Sequence, residues 1–145
     1  MALMKIVVGV DDSDMSEAAA RRAIDLGRRL EAEVDVVFVN HIPSTVLSAM
    51  AGVPTVAEDF ATSQREAVWK RMTPILEGTS ARRVDLEGYP PDTLVAHAVA
   101  TSADMIVVGS RGRGDLASLL LGSTSHRVVN HAPCDVLIVR EEAEA

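Results

Sequence analysis

The feature that most constrains the fold is an alternation of short apolar runs with longer segments of helical periodicity. Five runs have the character of strands, at residues 5–10, 34–39, 81–88, 104–110 and 135–140. Unbroken runs rich in β-branched residues are typical of strands buried on both faces, as in parallel sheets covered by helices. The run at 81–88 is more polar, which predicts a position towards a sheet edge.

This order, β-α-β-α-β-α-β-α-β, predicts an α/β fold with a mostly parallel, doubly wound sheet and helices on both faces. The 145 residues suit a single domain, 1–145. In such a sheet the first and fourth strands can be neighbours, at the point where the strand order reverses and ligands bind. The first strand ends at Asp11 and the fourth at Gly109, so these two residues mark the expected site.

The segments between the strands predict the helices. An apolar stripe in the first helix is expected at Ala20, Ala23, Ile24, Gly27 and Glu31, with Ser13 or Asp14 as the N-cap. Further helices are expected over roughly 58–78, within 90–102 and over 125–132. Residues 40–60 contain two prolines, a glycine and no firm period, which predicts a long loop.

Composition narrows the classes of partner. The formal net charge of -7 and the aromatic content of 3% disfavour nucleic acid, which needs basic stripes or stacking platforms. The single cysteine, Cys134, excludes an intramolecular disulfide and fits a reducing compartment. The apolar run near the N-terminus is too short for a signal segment or a membrane span. We therefore expect a cytoplasmic protein without membrane insertion.

The most distinctive motif is a set of spaced glycines after the fourth strand. Gly109 and Gly112 are separated by two residues, and nine more residues precede Gly122, which is followed by Ser123. Glycines after a strand let backbone N–H groups approach an anion, and a helix that starts at a Ser123 cap would present further donors. Arg111 and Arg113 can add positive charge. The spacing alone leaves two readings open, a phosphate site or ordinary turn chemistry.

Two other nucleotide motifs fit less well. A Walker A loop needs Gly-Lys-Ser/Thr, and neither lysine of the chain, Lys5 or Lys70, follows a glycine. The segment "GRGDLA" (112–117) matches the dinucleotide pattern G-x-G-x-x-A, but it follows the fourth strand instead of the first. The Walker A loop is therefore excluded and the dinucleotide fit is weak.

The pattern G-x2-G-x9-G-[ST] lies within "VVGSRGRGDLASLLLGSTSHRVVNHAPCDVLIV" (107–139). This segment closely resembles the ATP-binding branch of the universal stress protein family. "KIVVGVDDS" (5–13) is similar to the opening strand and acidic turn of that family, so the resemblance covers nearly the whole chain. It implies a Rossmann-like, five-stranded parallel sheet in the order 3-2-1-4-5.

The resemblance also implies the roles of individual residues. Gly109, Gly112, Gly122 and Ser123 would line the phosphates and ribose, and Thr124 and Ser125 would add hydroxyl or N–H donors. Arg111, with its positive charge, is expected to bind the nucleotide as well. Val10 and Asp11 would face the nucleoside, and Val39 would meet the adenine through its backbone. "FVNH" (38–41) departs from the His-Val pair that is more usual in the family, and "DDS" (11–13) replaces the common Asp-Gly-Ser.

Catalytic chemistry is less well supported than binding. Asp11 is a candidate ligand for Mg²⁺ or Mn²⁺ bridging the phosphates, and capping of the first helix is an equal alternative. No second carboxylate or base is placed to orient a water, so efficient hydrolysis is not expected. The sequence thus favours an ATP, ADP or AMP-binding regulatory protein with an unknown protein partner. A slow ATPase and a nucleotide-free interaction module are the alternatives, and the resemblance implies a homodimer through the last strand.

Overall fold

A five-stranded parallel sheet forms the centre of the structure, a computed structural model that describes residues 3–42, 48–49, 54–111 and 121–140. The strands are β1 (Lys5–Val10), β2 (Glu33–Asn40), β3 (Arg82–Glu87), β4 (Met105–Gly109) and β5 (Asp135–Val139). Their order in the sheet is β3-β2-β1-β4-β5, with all neighbours parallel. The predicted Rossmann-like α/β fold and its strand order are confirmed, and the polar strand β3 lies at an edge.

The described helices cover both faces of the sheet. They are α1 (Asp14–Leu30), α2 (Pro54–Leu76), α3 (Pro90–Ala100) and α4 (Ser123–His131). Side chains of α1 and α2 pack in one apolar cluster, and those of α3 and α4 pack in another on the opposite face. None of the helices in the described ranges is long and apolar enough to cross a membrane.

Strand β1 lies at the middle of the sheet because it is apolar on both faces. Ile6 and Val8 point into the cluster of α1 and α2, whereas Val7 points into the cluster of α3 and α4. All three side chains are fully buried. Full burial of such a side chain contributes about 1.5–3 kcal/mol, so these residues fix β1 as the central strand.

Helix α1 is defined by its two ends. Ser13 is the N-cap, and its hydroxyl accepts a hydrogen bond from the backbone N–H of Ser16 at 3.2 Å. Glu31, predicted as a member of the apolar stripe, is instead the C-cap in the left-handed region, with φ 54°. That prediction was wrong because the helix ends one residue earlier. Gly27 permits close packing on β2, since a Cβ there would lie 2.5 Å from Cγ2 of Val34.

Part of the segment predicted as a loop, residues 40–60, is helical. Helix α2 begins at Pro54, four residues before the predicted start, so residues 54–60 are helical. Proline is a helix breaker in the interior but is well suited to the first turn, where its missing N–H has no acceptor. The prediction treated Pro54 as a breaker, which explains the error. Residues 43–47 and 50–53 of this segment lie outside the described part of the chain.

A buried charge cluster lies near the amino ends of the strands. The Asp35 carboxylate of β2 is 1% exposed and accepts hydrogen bonds from Lys5 Nζ at 2.8 Å and Arg82 Nη2 at 3.0 Å. Nε2 of His97, on α3, lies 3.0 Å from Oδ2 of Asp35. Burial by itself raises the pKa of Asp35, but the hydrogen bonds from Lys5, Arg82 and His97 outweigh it, and the net pKa is lowered.

We expect Asp35→Asn to lower the free energy of unfolding by about 3 kcal/mol, because it removes a buried carboxylate that pairs with Lys5, whose side chain is only 13% exposed. The matched control Asp25→Asn removes one carboxylate from an exposed i,i+4 pair with Arg29 and should cost about 0.5 kcal/mol or less. Urea denaturation at neutral pH measures both. Equal losses in the two variants would contradict a structural role for the cluster.

The lowered pKa of Asp35 also fixes a pH dependence. Its stabilising contribution is fully present above the ordinary value of 3.8 and is lost as the pH falls through the lower pKa of the folded state. The unfolding free energy of the wild-type chain should therefore fall more steeply below about pH 4 than that of Asp35→Asn. Parallel curves for the two proteins in acid would show that Asp35 makes no such contribution.

Candidate functional site

A cleft of about 220 Å³ opens at the carboxyl ends of β1 and β4. These strands are hydrogen-bonded neighbours, with Val8 opposite Val107, although they are far apart along the chain. The chain leaves β1 towards one side of the sheet and β4 towards the other, which leaves a crevice where the strand order reverses. The cleft is lined by Gly9, Val10, Asp11, Ser16, Val37, Val39, Pro90, Leu94, Val108, Gly109, Arg111, Thr124 and Ser125.

One part of the cleft is apolar. Val37 and Val39 come from β2, Leu94 from α3 and Val108 from β4, and all four belong to the cluster on the α3 and α4 face. Gly9 keeps this part of the structure closely packed, because a Cβ there would lie 2.7 Å from Cδ2 of Leu94. Walls of this kind bind flat apolar surfaces such as those of an aromatic base.

The turn between β1 and α1 holds Asp11 through a hydrogen-bond network. The Asp11 backbone N–H donates to the Ser16 hydroxyl at 2.7 Å, and that hydroxyl donates to Asp11 Oδ1 at 2.7 Å. The hydroxyl of Ser13, the N-cap of α1, also donates to Asp11 Oδ1. The capping role is thus carried by Ser13, and Asp11 supports it as an acceptor.

These contacts bear on Asp11 as a metal ligand. One of its carboxylate oxygens already accepts from two hydroxyls, and the described residues contain no group of three His, Cys, Asp or Glu side chains that could hold a metal ion. Mg²⁺ in nucleotide sites commonly takes one or two carboxylates and fills its remaining positions with phosphates and water. The groups of the described residues therefore do not form a metal site by themselves.

Gly109, at the end of β4, is needed for helix packing. A Cβ at this position would lie 3.0 Å from Cβ of Met15 and 3.3 Å from its carbonyl oxygen, at the start of α1. Its φ is not positive, so left-handed backbone is not the reason for glycine. The absence of a side chain brings the first turn of α1 against β4, which positions Asp11 beside the end of that strand.

The start of α4 is tied to the end of β4. The Gly122 N–H donates to the carbonyl of Ser110 at 2.6 Å, and the buried Ser125 hydroxyl donates to the carbonyl of Gly109. The N-cap is Gly122, not Ser123 as predicted, and it makes no side-chain cap bond. Ser123 is already the first helical residue, with an exposed side chain. The first N–H groups of a helix favour anions, and Thr124 and Ser125 line the cleft there.

The structure brings most of the predicted site residues together. Those that line the cleft are Val10, Asp11, Val39, Gly109, Arg111, Thr124 and Ser125. Gly122 and Ser123 directly precede Thr124 in the chain. Gly112 lies outside the described residues. Sequence reasoning missed Ser16 and Leu94. A serine three residues after the N-cap was a visible signal for Ser16, whereas Leu94 depends on how α3 packs.

Comparison with known proteins agrees with this fold. A profile described as the universal stress protein family matches residues 3–140. The universal stress protein YxiE of Bacillus subtilis is 34% identical over 145 residues, covering 94% of this chain and 98% of that protein. Universal stress protein MJ0531 of Methanocaldococcus jannaschii is 34% identical over 140 residues, covering 94% of this chain and 82% of its own length.

Two solved structures are also similar. The universal stress protein UspA from Lactobacillus plantarum superposes with a TM-score of 0.79 at 26% identity. The match covers 97% of this chain and 100% of UspA. A universal stress protein crystallised in complex with cAMP superposes with a TM-score of 0.62 at 28% identity, covering 97% and 98% of the two chains.

The hydrogen-bonded turn gives a stability prediction. Ser16→Ala should lower the free energy of unfolding by about 1–3 kcal/mol, because the buried hydroxyl partner of the Asp11 N–H is lost. Ser123→Ala changes an exposed residue that is not the N-cap, and it should change the free energy of unfolding by about 0.5 kcal/mol or less. Urea denaturation compares the two, and a Ser16→Ala loss no larger than that of Ser123→Ala would contradict the network.

Proposed function

The chain belongs to the universal stress protein family, and we propose that it binds an adenine nucleotide, ATP, ADP or AMP, in the cleft between β1 and β4. The proposal rests on the division of this cleft into an apolar part and a polar part. Apolar walls lie at one part, while Asp11, Arg111 and the start of α4 supply polar and charged groups at another. A nucleotide has the same division between base and phosphates.

The base is proposed to lie between Val39 and Leu94, with the ribose on the side of Asp11. The phosphates then lie near Gly109, Arg111 and the first turn of α4, where helix N–H groups and a guanidinium favour negative charge. The cleft volume of about 220 Å³ is smaller than the roughly 300–1,000 Å³ of typical ligand pockets. It suits the nucleoside part, with the phosphates extending towards α4.

The proposed role is regulatory. The structure of a relative with cAMP supports nucleotide binding within the family fold. Strand β5 supports assembly as a homodimer, because Val136, Leu137 and Ile138 are only partly buried on a strand at the sheet edge. Such an edge needs covering. Light scattering at micromolar concentration is expected to give twice the chain mass, and a chain mass of 15.4 kDa would contradict the dimer.

Isothermal titration calorimetry with ATP, ADP, AMP and GTP tests the binding itself. We expect saturable binding of the adenine nucleotides, and weaker binding of Gly122→Ala, whose added methyl group lies at the helix start. Alanine readily adopts the φ of Gly122, -69°, so backbone strain does not oppose this substitution. Ser80→Ala, at the opposite end of the sheet, is the control and should bind normally. Equal affinities of Gly122→Ala and the wild type would remove Gly122 from the site.

Turnover distinguishes binding from hydrolysis. ATP incubated with the protein for several hours and analysed by chromatography should remain ATP. Accumulation of ADP at a rate that Asp11→Ala abolishes would replace the regulatory proposal with a slow ATPase.

A further inference from the structure

The turn beside the cleft is strongly acidic. Asp11, Asp12, Asp14 and Glu17 place four carboxylates within residues 11–17, here called the acidic turn. Asp11 lines the cleft, and a neighbouring hollow joins Asp11 and Asp12 to Val39 and Pro90. Carboxylates this close to a polyanionic ligand oppose its binding, because like charges repel over roughly a Debye length, about 8 Å at physiological salt.

One cation from another helix contacts most of this turn. Arg71, on α2, donates from Nε to Asp12 Oδ1 at 3.0 Å. Its Nη1 donates to Asp14 Oδ1 at 2.7 Å and to Glu17 Oε2 at 2.9 Å. The pKa of Arg71 is raised, above all by the hydrogen bond to Asp14, so its charge is permanent. The guanidinium of Arg71 thus donates hydrogen bonds to three of the four carboxylates.

The turn also has internal hydrogen bonds that do not involve Arg71. Asp11 is held by the hydroxyls of Ser13 and Ser16, and the Ser16 N–H is bonded to the Ser13 hydroxyl at 3.2 Å. These bonds lie entirely within the turn. Loss of the Arg71 charge would therefore change the electrostatic potential at the cleft more than its geometry.

We propose that Arg71 balances the charge of the acidic turn and so sets how well the cleft accepts the phosphates of a ligand. The inference rests on the proposed nucleotide binding. Arg71 acts on the ligand through the carboxylates that it neutralises, without touching it. The difference in affinity between a nucleotide and its uncharged nucleoside then depends partly on Arg71. This residue belongs to α2, a helix that contributes no lining residue to the cleft.

Arg71→Met tests this by calorimetry with ATP, AMP and adenosine at low and high salt. We expect ATP to bind roughly 3- to 10-fold more weakly, AMP less so, and adenosine within about 2-fold of the wild type. The ATP effect should shrink as the salt concentration rises. A purely structural role would weaken adenosine and ATP equally and would not depend on salt.

Arg65→Met is the matched control. Arg65 lies on the same helix, its Nε lies 3.8 Å from Oδ1 of Asp85, and its loss changes the net charge by the same amount. It should leave the ratio of ATP to adenosine affinity unchanged. The double variant Arg71→Met/Asp12→Asn removes one of the carboxylates that Arg71 contacts and should recover part of the ATP affinity.

Asp12→Asn alone covers the case in which Arg71→Met does not fold. With one fewer carboxylate and Arg71 retained, it should bind ATP more tightly by roughly 2- to 3-fold, with adenosine unchanged. Equal ATP-to-adenosine ratios in the wild type, Arg71→Met and Asp12→Asn would overturn the role of Arg71 while leaving nucleotide binding intact. A wild-type chain that binds neither ATP nor adenosine would instead contradict the proposed function.

Discussion

The pairing of β1 with β4 is the constraint on which the site depends. Because these strands are neighbours in space, the acidic turn after β1 and the glycine at the end of β4 meet at one edge of the sheet. The pairing holds because β1 is apolar on both faces and is covered by helices on each side. Gly109 then lets the start of α1 approach β4 closely enough to form one wall of the cleft.

Charge is organised differently at the two ends of the sheet. Near the amino ends, Asp35 is buried and surrounded by Lys5, Arg82 and His97, an arrangement that stabilises the fold. At the carboxyl ends the acidic turn stays partly exposed, and Arg71 reaches it from α2. The cluster around Asp35 connects strands β1, β2 and β3 to helix α3. The acidic turn lies where an anionic ligand is proposed to bind.

Much of the fold could be predicted from the sequence, because the strands are apolar runs with clear ends. β1 was predicted to the residue, and β4 and β5 within one residue at each end. The predicted start of α2 and the predicted N-cap of α4 were wrong, because proline and glycine occur both at helix breaks and at helix starts. Pro54 and Gly122 are examples. The residues that Arg71 contacts are 54 to 59 positions away in the sequence. Hydrophobic periodicity and short motifs do not predict pairs this far apart.

The central claim is that the β1 and β4 cleft is the ligand site, and chemical-shift mapping by NMR tests it most directly. Titration of the ¹⁵N-labelled chain with AMP should shift the amide signals of Asp11, Val39, Gly109, Thr124 and Ser125. The signals of Lys5, Asp35 and Arg82, at the other end of the sheet, should stay in place. Shifts confined to that other end, or no shifts at millimolar AMP, would contradict the account.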